Sequence, residues 1–169
     1  MKKLFLTLLL AFMGFVSAQA QMWLGGSVNT EVNKGAQTFT IAPDLGYSFP
    51  ETSFSIGCAL EYTGTFQKGI GFDHAMTVSP YLRYDICELE ERFSFFVDLA
   101  ADIDVIEFND INVGLLPGVS FDLSDHWSAE FSYGFLGFEI EKTPTGQTER
   151  RFVLDLESAA TTFGIYYFF

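Results

Sequence analysis

Residues 76–86 read MTVSPYLRYDI, and every second side chain in this stretch is apolar. The apolar positions are Met76, Val78, Pro80, Leu82, Tyr84 and Ile86, and the intervening ones are Thr77, Ser79, Tyr81, Arg83 and Asp85. Successive side chains of a β-strand point to opposite faces, so a period of two is typical of a strand with one apolar face. The stretch therefore predicts a strand whose other face is polar.

The same alternation recurs seven more times along the chain. The segments cover residues 23–30, 38–49, 54–63, 95–104, 112–121, 127–135 and 161–169. The first is the weakest, because Gly25 and Gly26 interrupt it. Eight strands and no helical pattern after residue 20 predict one all-β domain over residues 21–169.

A repeat of hairpins underlies these strands. Pro43, Pro80 and Pro117 are separated by equal intervals, and each opens a similar alternating phrase. The chain ends on a related phrase at Phe163–Phe169 that lacks the proline and follows a longer interval. Proline loses a ladder hydrogen bond inside a sheet, so we interpret the three prolines as β-bulges. The pattern indicates four hairpins, with an insertion before the last strand.

Short and long connections alternate between the predicted strands. Tight turns are expected at residues 49–53, 87–92 and 122–126, and longer loops at residues 29–36, 66–73, 105–110 and 141–157. Short turns at one end and longer loops at the other describe an eight-stranded antiparallel up-and-down β-barrel.

Alternation alone does not say which face lies inside the barrel. A soluble, lipocalin-like barrel would turn the apolar face inward around an apolar ligand. The polar face is rich in Gly, Ser, Thr and Ala, which suits the narrow lumen of eight strands better than a solvated surface. Aromatic residues recur at the short-turn end of the apolar face, as in an interfacial girdle: Tyr47, Phe49, Tyr84, Phe121, Trp127 and Tyr167. We therefore predict a transmembrane barrel.

Residues 1–20 have the pattern of a cleaved secretory signal peptide. Lys2 and Lys3 precede an uncharged apolar run, and Ala18-Gln19-Ala20 supplies small residues for cleavage. The alternative, a single transmembrane helix, needs about 20 apolar residues, more than this run contains. Export would permit a disulfide, but Cys58 is predicted mid-strand and Cys87 in a turn, too far apart to bridge.

The charge balance excludes some partners. Nine Lys and Arg stand against 22 Asp and Glu, for a net charge of −13. Nucleic acid needs a basic surface that neutralises phosphates, so binding of nucleic acid is not expected. Attraction to an anionic lipid surface is not expected either.

Several phrases together resemble a known family. Pro80-Tyr81-Leu82-Arg83-Tyr84, Leu116-Pro117-Gly118-Val119-Ser120-Phe121 and the terminal Tyr167-Phe168-Phe169 are similar to the PorT-like outer membrane protein β-barrel domain, broadly of OmpA/OmpX type. The resemblance implies a place in the bacterial cell outer membrane, in contact with its lipid. It also implies that Phe163, Ile165, Tyr167 and Phe169 form the signal read by the barrel-insertion machinery.

One arginine faces the lumen among many acids. The predicted register gives Arg83 the same parity as Asp44, Glu61, Asp98 and Glu130. Arg83 and Glu130 fall at similar heights on opposite walls, so we expect an ion pair between them, with Asp98 or Asp44 as a second partner. A structural network is the favoured interpretation, and a gate is the alternative.

No catalytic, cofactor or metal site is predicted. His74 and His126 are the two histidines, and neither joins a Ser–His–acid constellation; no metal-ligand spacing occurs. We expect a non-enzymatic outer-membrane barrel that is structural or that binds an extracellular partner through the loop between Glu141 and Glu157. The alternatives are a secreted or periplasmic lipocalin-like barrel and a lipid A-modifying barrel enzyme.

Overall fold

Ten β-strands build the protein in the computed structural model, which describes residues 21–33, 36–67, 69, 71–89, 92–106, 110–142, 148–156 and 161–169. The strands are β1 (Gln21–Asn33), β2 (Ala36–Ser48), β3 (Phe54–Gln67), β4 (Gly71–Leu89), β5 (Phe93–Asp104), β6 (Asp110–Asp122), β7 (Trp127–Tyr133), β8 (Phe135–Lys142), β9 (Thr148–Asp155) and β10 (Thr161–Phe168). The predicted signal peptide lies outside the described residues. No helix in the described ranges is long and apolar enough to cross a membrane.

Eight strands close into an antiparallel barrel, which confirms the predicted fold. The ring runs β1-β2-β3-β4-β5-β6-β7-β10 and returns to β1. β8 continues β7 beyond Gly134 and pairs with the upper half of β6, while β9 pairs with β8. Among the described strands, β9 has no second neighbour, so the β8–β9 hairpin forms one side of the barrel at the end away from the short turns.

The connections differ from the predicted loops. β1 and β2 are paired as far as Asn33 and Ala36, and β3 and β4 as far as Gln67 and Gly71. The prediction of one long loop between Glu141 and Glu157 is also wrong, because eight of its residues form β9. Cross-strand pairing extends into residues whose alternation is too weak to be recognised from sequence. The strands are therefore longer than the alternating segments that predicted them.

Two bulges shift the register. One lies between Asp85 and Cys87, and it places Cys87 in β4 opposite Phe95, not in a turn as predicted. The other lies at Gly134, whose φ of +83° belongs to the left-handed region that glycine adopts without steric cost. Beyond it the parity changes, so Phe135 points into the lumen and not outward as the alternation predicted.

Pro43 and Pro80 are not bulges, whereas Pro117 lies opposite the Gly134 bulge, where the pairing of β6 shifts by one residue between β7 and β8. The β2–β3 ladder passes from the pair Ile41 and Tyr62 to the pair Asp44 and Ala59 without a change of register, and the pairs at Pro43 are missing. Pro80 interrupts the β4–β5 ladder in the same way. Proline carries no N–H group, so it opens a ladder locally and need not insert a residue.

The outer face is apolar and the interior is polar and aromatic. Large apolar side chains are exposed on every strand for which exposure is described, among them Leu24, Ile41, Leu60, Leu82, Leu99, Leu115, Phe131, Phe138, Phe152 and Phe163. The buried set mixes Trp23, Phe96 and Tyr166 with Arg83, Glu130 and Asp44. The apolar parity thus lies outside, which is the opposite of a lipocalin-like barrel.

Candidate functional site in the barrel lumen

Arg83 lies at the centre of the lumen. Its Nε and Nη2 donate to the two carboxylate oxygens of Asp98 at 2.8 and 2.9 Å. Its Nη1 donates to Oε1 of Glu130 at 2.6 Å. Arg83 and Glu130 are 8% and 6% exposed, so water screens this pair little. A guanidinium can serve two carboxylates at once, and here it ties β4 to β5 and to β7.

The register explains why Asp98 and not Asp44 is the second partner. Asp98 is the cross-strand neighbour of Arg83, and the two side chains point to the same face at the same height. Asp44 lies two strands away and instead accepts a hydrogen bond of 2.7 Å from the Tyr81 hydroxyl. Glu61 accepts one of 3.2 Å from Ser79 Oγ. Of the five predicted lumen residues, the structure brings Arg83, Asp98 and Glu130 into direct contact.

Aromatic side chains fill the layer around Arg83. The Phe96 ring centroid lies 3.7 Å from Arg83 Cζ, and the Tyr81 centroid lies 5.6 Å away. Trp23 and Tyr166 are buried in the same interior. A cation against an aromatic face in a desolvated site gains energy from the ring quadrupole, so Phe96 and Tyr81 add to the ion pairs.

Each of these rings lies over a glycine of a neighbouring strand. A Cβ added at Gly118 would meet Phe96 at 2.3 Å, one at Gly57 would meet Tyr81 at 2.3 Å, and one at Gly46 would meet Trp23 at 2.0 Å. The glycines therefore create the space that the rings occupy. This pairing of rings with glycines was not predicted from the sequence. The glycines on the polar face of the strands are the sequence feature that could have revealed it.

Cavities lie on both sides of this layer. The lower one, at the short-turn end, has a volume of about 480 Å³ and includes Arg83, Glu130, Asp85 and Asp122 in its lining. The upper one, at the other end, has a volume of about 300 Å³. Glu61 and Asp102 line the upper cavity, and Arg83 does not. The aromatic and ionic layer thus separates two chambers of the lumen.

The predicted girdle residues lie together at the short-turn end of the outer face. Tyr47 contacts Phe49 with ring centroids 5.2 Å apart, and Tyr167 contacts Trp127 and Phe169 at 5.1 and 5.2 Å. Cross-strand aromatic partners complete the band: Tyr84 with Phe54 at 5.1 Å, and Phe121 with Phe93 at 4.6 Å. Aromatic neighbours across strands stabilise a sheet beyond their burial.

A second aromatic group lies toward the other end of the outer face, and sequence analysis did not identify it. Phe39 contacts Tyr62 and Phe72, and Phe138 contacts Phe152. His74 lies beside the cluster formed by Phe39, Tyr62 and Phe72, with its ring 6.4 Å from Tyr62 and 6.5 Å from Phe72. These contacts place His74 on the outer wall, away from the lumen carboxylates.

The remaining predicted positions lie on β10 and on the β8–β9 hairpin. Phe163, Ile165 and Tyr167 are on the outer face of β10, and Phe169 follows it with 64% of its surface exposed. On the hairpin, Arg151 pairs with Glu139 in an exposed ion pair. The tip between Lys142 and Thr148, where the partner contact was expected, lies outside the described residues.

Other chemistries find little support in the described residues. They contain no group of three or more His, Cys, Asp or Glu side chains placed to hold a metal ion. Cys58 and Cys87 are free. His126 lies in the short turn before β7, with Nδ1 3.0 Å from the Phe168 carbonyl oxygen. No family model matches the chain, and no curated protein matches it.

Proposed function

We propose that the chain is a non-enzymatic integral protein of the bacterial outer membrane. The observation that carries this proposal is the outer face of the barrel. At its outward positions, the described strands expose Leu, Ile, Val, Phe, Tyr and Trp, with one described charged side chain, Arg150, near the tip of the β8–β9 hairpin. An apolar surface that surrounds a whole domain would drive aggregation in water, but it suits lipid.

The height of the apolar band supports the same proposal. The outward positions of β5 run from Phe93 to Ile103, and all six are apolar. Ten residue steps of about 3.3 Å span about 33 Å along a strand. With the tilt of about 40° that such strands have, the band is about 25 Å tall, as outer-membrane barrels require.

The aromatic groups fit the two edges of such a band. The girdle around Tyr47, Tyr84 and Tyr167 lies at one end, and the group around Phe39 and Tyr62 lies toward the other. Tyr and Trp favour the membrane–water interface because their rings are apolar and their tips polar. The resemblance to PorT-like barrels supports the proposed family, and it gives Phe163–Phe169 the role of insertion signal.

The alternatives fit the lumen less well. A lipocalin-like carrier needs an apolar interior cavity, whereas both chambers here are lined by several carboxylates and hydroxyl groups. A lipid A-modifying enzyme needs a catalytic group at the rim. His74 lies among aromatic rings on the outer wall, and His126 lies in a short turn.

Cell fractionation with heat-modifiable gel mobility tests the location. We expect the protein in the outer-membrane fraction, with a folded form that migrates differently from the boiled form. Recovery in the soluble periplasmic or culture fraction would refute the proposal and favour the carrier. Within the proposal, the β8–β9 hairpin is the surface for an extracellular partner, because it alone breaks the hairpin repeat.

Trimming residues 143–148 separates a binding role from a structural one. If the hairpin tip binds a partner, the trimmed protein folds and reaches the outer membrane but no longer attaches. If the barrel is structural, deletion of the whole protein weakens the envelope and the trimmed protein restores it. A matched control replaces Lys34 by serine in the two-residue β1–β2 connection, which is too short to trim, and leaves the β8–β9 tip intact.

A further inference from the structure

The charges of the chain are distributed unevenly along the barrel. The three short turns, at residues 49–53, 87–92 and 122–126, hold six acidic residues and one basic residue, Arg92. Five of the seven basic residues after residue 20 lie toward the other end, in or beside the β1–β2, β3–β4 and β8–β9 connections. The net charge of the chain, which argues against attraction to an anionic lipid surface, therefore does not describe this end of the barrel.

Arg150 carries the charge of the described outward strand positions. It is exposed on β9, opposite Ile140 of β8. The ion pairs between described residues involve Arg83 and Arg151, not Arg150. Its chain neighbours Glu149 and Arg151 point to the opposite face of the strand, so neither lies beside its guanidinium. Arg150 thus presents a positive charge that no described carboxylate neutralises, on a face that is otherwise apolar.

The strand register places Arg150 at the far edge of the apolar band. Through its partner on β8, Arg150 is level in the sheet with Ile111, which lies ten residues from the girdle residue Phe121 on β6. Ten steps of about 3.3 Å at a tilt of about 40° give about 25 Å, the height of the apolar band of outer-membrane barrels. On β4, the exposed His74 lies the same ten residues from Tyr84. The apolar band therefore ends at the level of Arg150, where lipid headgroups would begin.

Aromatic rings lie next to Arg150 on the same face. Phe152 is the next outward position of β9, and its ring contacts Phe138 of β8 with centroids 5.4 Å apart. Phe138 and Phe152 are 56% and 61% exposed, so both rings can pack against an acyl chain. A guanidinium presents its N–H donors in a planar fork that matches the oxygens of a phosphate. The cation above an apolar aromatic surface therefore has the two parts needed to recognise a phosphate-bearing lipid.

We propose that Arg150, with Phe138 and Phe152 beneath it, binds a lipid of the outer leaflet whose headgroup carries a phosphate monoester. The guanidinium donates to the phosphate oxygens, and the acyl chains of the lipid lie against the two rings. A phosphate monoester carries more than one negative charge near neutral pH, so it is favoured over a zwitterionic headgroup. The inference rests on the proposed outer-membrane location, and it assigns the β8–β9 end of the barrel to that leaflet.

Native mass spectrometry of the folded protein in detergent micelles, titrated with dioleoyl phosphatidic acid, tests the site. Phosphatidylcholine with the same acyl chains is the zwitterionic comparison, and the native protein should bind it more weakly. Arg150→Gln removes charge-assisted hydrogen bonds, so we expect phosphatidic acid to bind at least about five-fold more weakly. Arg151→Gln is the matched control, because it removes the same charge from the adjacent residue, which pairs with Glu139 on the inward face; its affinity should stay within about two-fold of the native value.

Three results would overturn the proposal. Equal weakening by Arg150→Gln and Arg151→Gln would show only general attraction to a basic hairpin. Phosphatidic acid that binds no better than phosphatidylcholine would show that the phosphate monoester is not recognised. Displacement of phosphatidic acid by inorganic phosphate at equal concentration would show an anion site that needs no lipid. Both replaced side chains are exposed, so both variants should fold, and heat-modifiable mobility verifies this. Cell fractionation tests the location separately, because a barrel found in the outer membrane without these preferences would refute the lipid site alone.

Discussion

Replacement of Arg83 by alanine tests the central layer of the barrel most directly. The substitution removes the cation and leaves Asp98 and Glu130 facing each other in the lumen, with side chains 14% and 7% exposed. Removing one partner of a buried ion pair costs about 3–5 kcal/mol, because the remaining charge is neither paired nor hydrated. The lost contact with the Phe96 ring adds to this cost. We expect a loss of about 4 kcal/mol in the free energy of unfolding.

Urea unfolding in detergent micelles, followed by the fluorescence of Trp23 and Trp127, measures this loss. With a slope of about 2 kcal/mol per molar urea, the midpoint should fall by about 2 M. The matched control is Arg151→Ala, which breaks the Arg151–Glu139 pair, where Arg151 is 75% exposed. Such a surface pair contributes about 0–1 kcal/mol, so the control midpoint should fall by less than about 0.5 M.

A midpoint for Arg83→Ala equal to that of Arg151→Ala would refute the reasoning. A further variant separates the value of the ion pairs from the cost of unpaired charge. Combining Arg83→Met with Asp98→Asn and Glu130→Gln removes all three charges, and neutral replacements of buried ion pairs are often tolerated. This triple variant should recover most of the lost stability. If it is as unstable as Arg83→Ala, unpaired charge is not the cause.

Three other substitutions test the aromatic packing, the outer face and the bulge. Gly46→Ala brings a Cβ within 2.0 Å of the Trp23 ring and should lower the free energy of unfolding in urea by about 1–3 kcal/mol. Adding Trp23→Phe should recover part of that loss, and equal losses in the single and double variants would contradict the contact. Leu99→Arg places a charge midway along the outer face of β5 and should lower the free energy of unfolding by about 2–4 kcal/mol in lipid vesicles. Leu123→Arg, in a short turn, is the control and should lower it by about 0–1 kcal/mol; equal losses would argue against a lipid-facing band. Gly134→Ala forces a left-handed φ on a residue with a Cβ and should cost about 1–2 kcal/mol, and an unchanged unfolding midpoint would exclude backbone strain at this bulge.

The strands and the division of their side chains between two faces could be predicted because they depend on alternation alone, and the small residues of the polar face indicated which face lies inside. A period of two assigns each side chain of MTVSPYLRYDI to a face without knowledge of its neighbours. The same parity placed Arg83, Asp98 and Glu130 in one lumen. Which of Asp98 and Asp44 binds Arg83 depends on the register between neighbouring strands, and this register places Asp98 opposite Arg83. The alternation within one strand does not contain that information.

The features that escaped prediction depend on single inserted residues or on pairs of strands. The Gly134 bulge adds one residue, so Phe135 continues the apparent alternation in sequence but points inward in the barrel. The bulge before Cys87 also changes the parity, and it places Cys87 beside the outward Phe95 at the short-turn end. Phe96 fills the lumen because Gly118, its cross-strand neighbour, leaves space for the ring.

The proline repeat acquires a physical meaning once these pairs are known. Proline cannot donate to the ladder, and each ladder opens beside one: β2–β3 at Pro43, β4–β5 at Pro80, and the pairing of β6 at Pro117. The inward residues at the three openings are Ala42 and Glu61 at the first, Ser79 and Asp102 at the second, and Leu116 with the Gly134 bulge at the third. All of them except Ser79 line the upper cavity, and Ser79 donates to Glu61. The equally spaced prolines therefore lie at about one level around the barrel. At this level the strand ladders are interrupted, and acidic side chains point into the lumen beside two of the prolines. The proline repeat, which is visible in the sequence, thus marks the level of the upper cavity in the barrel.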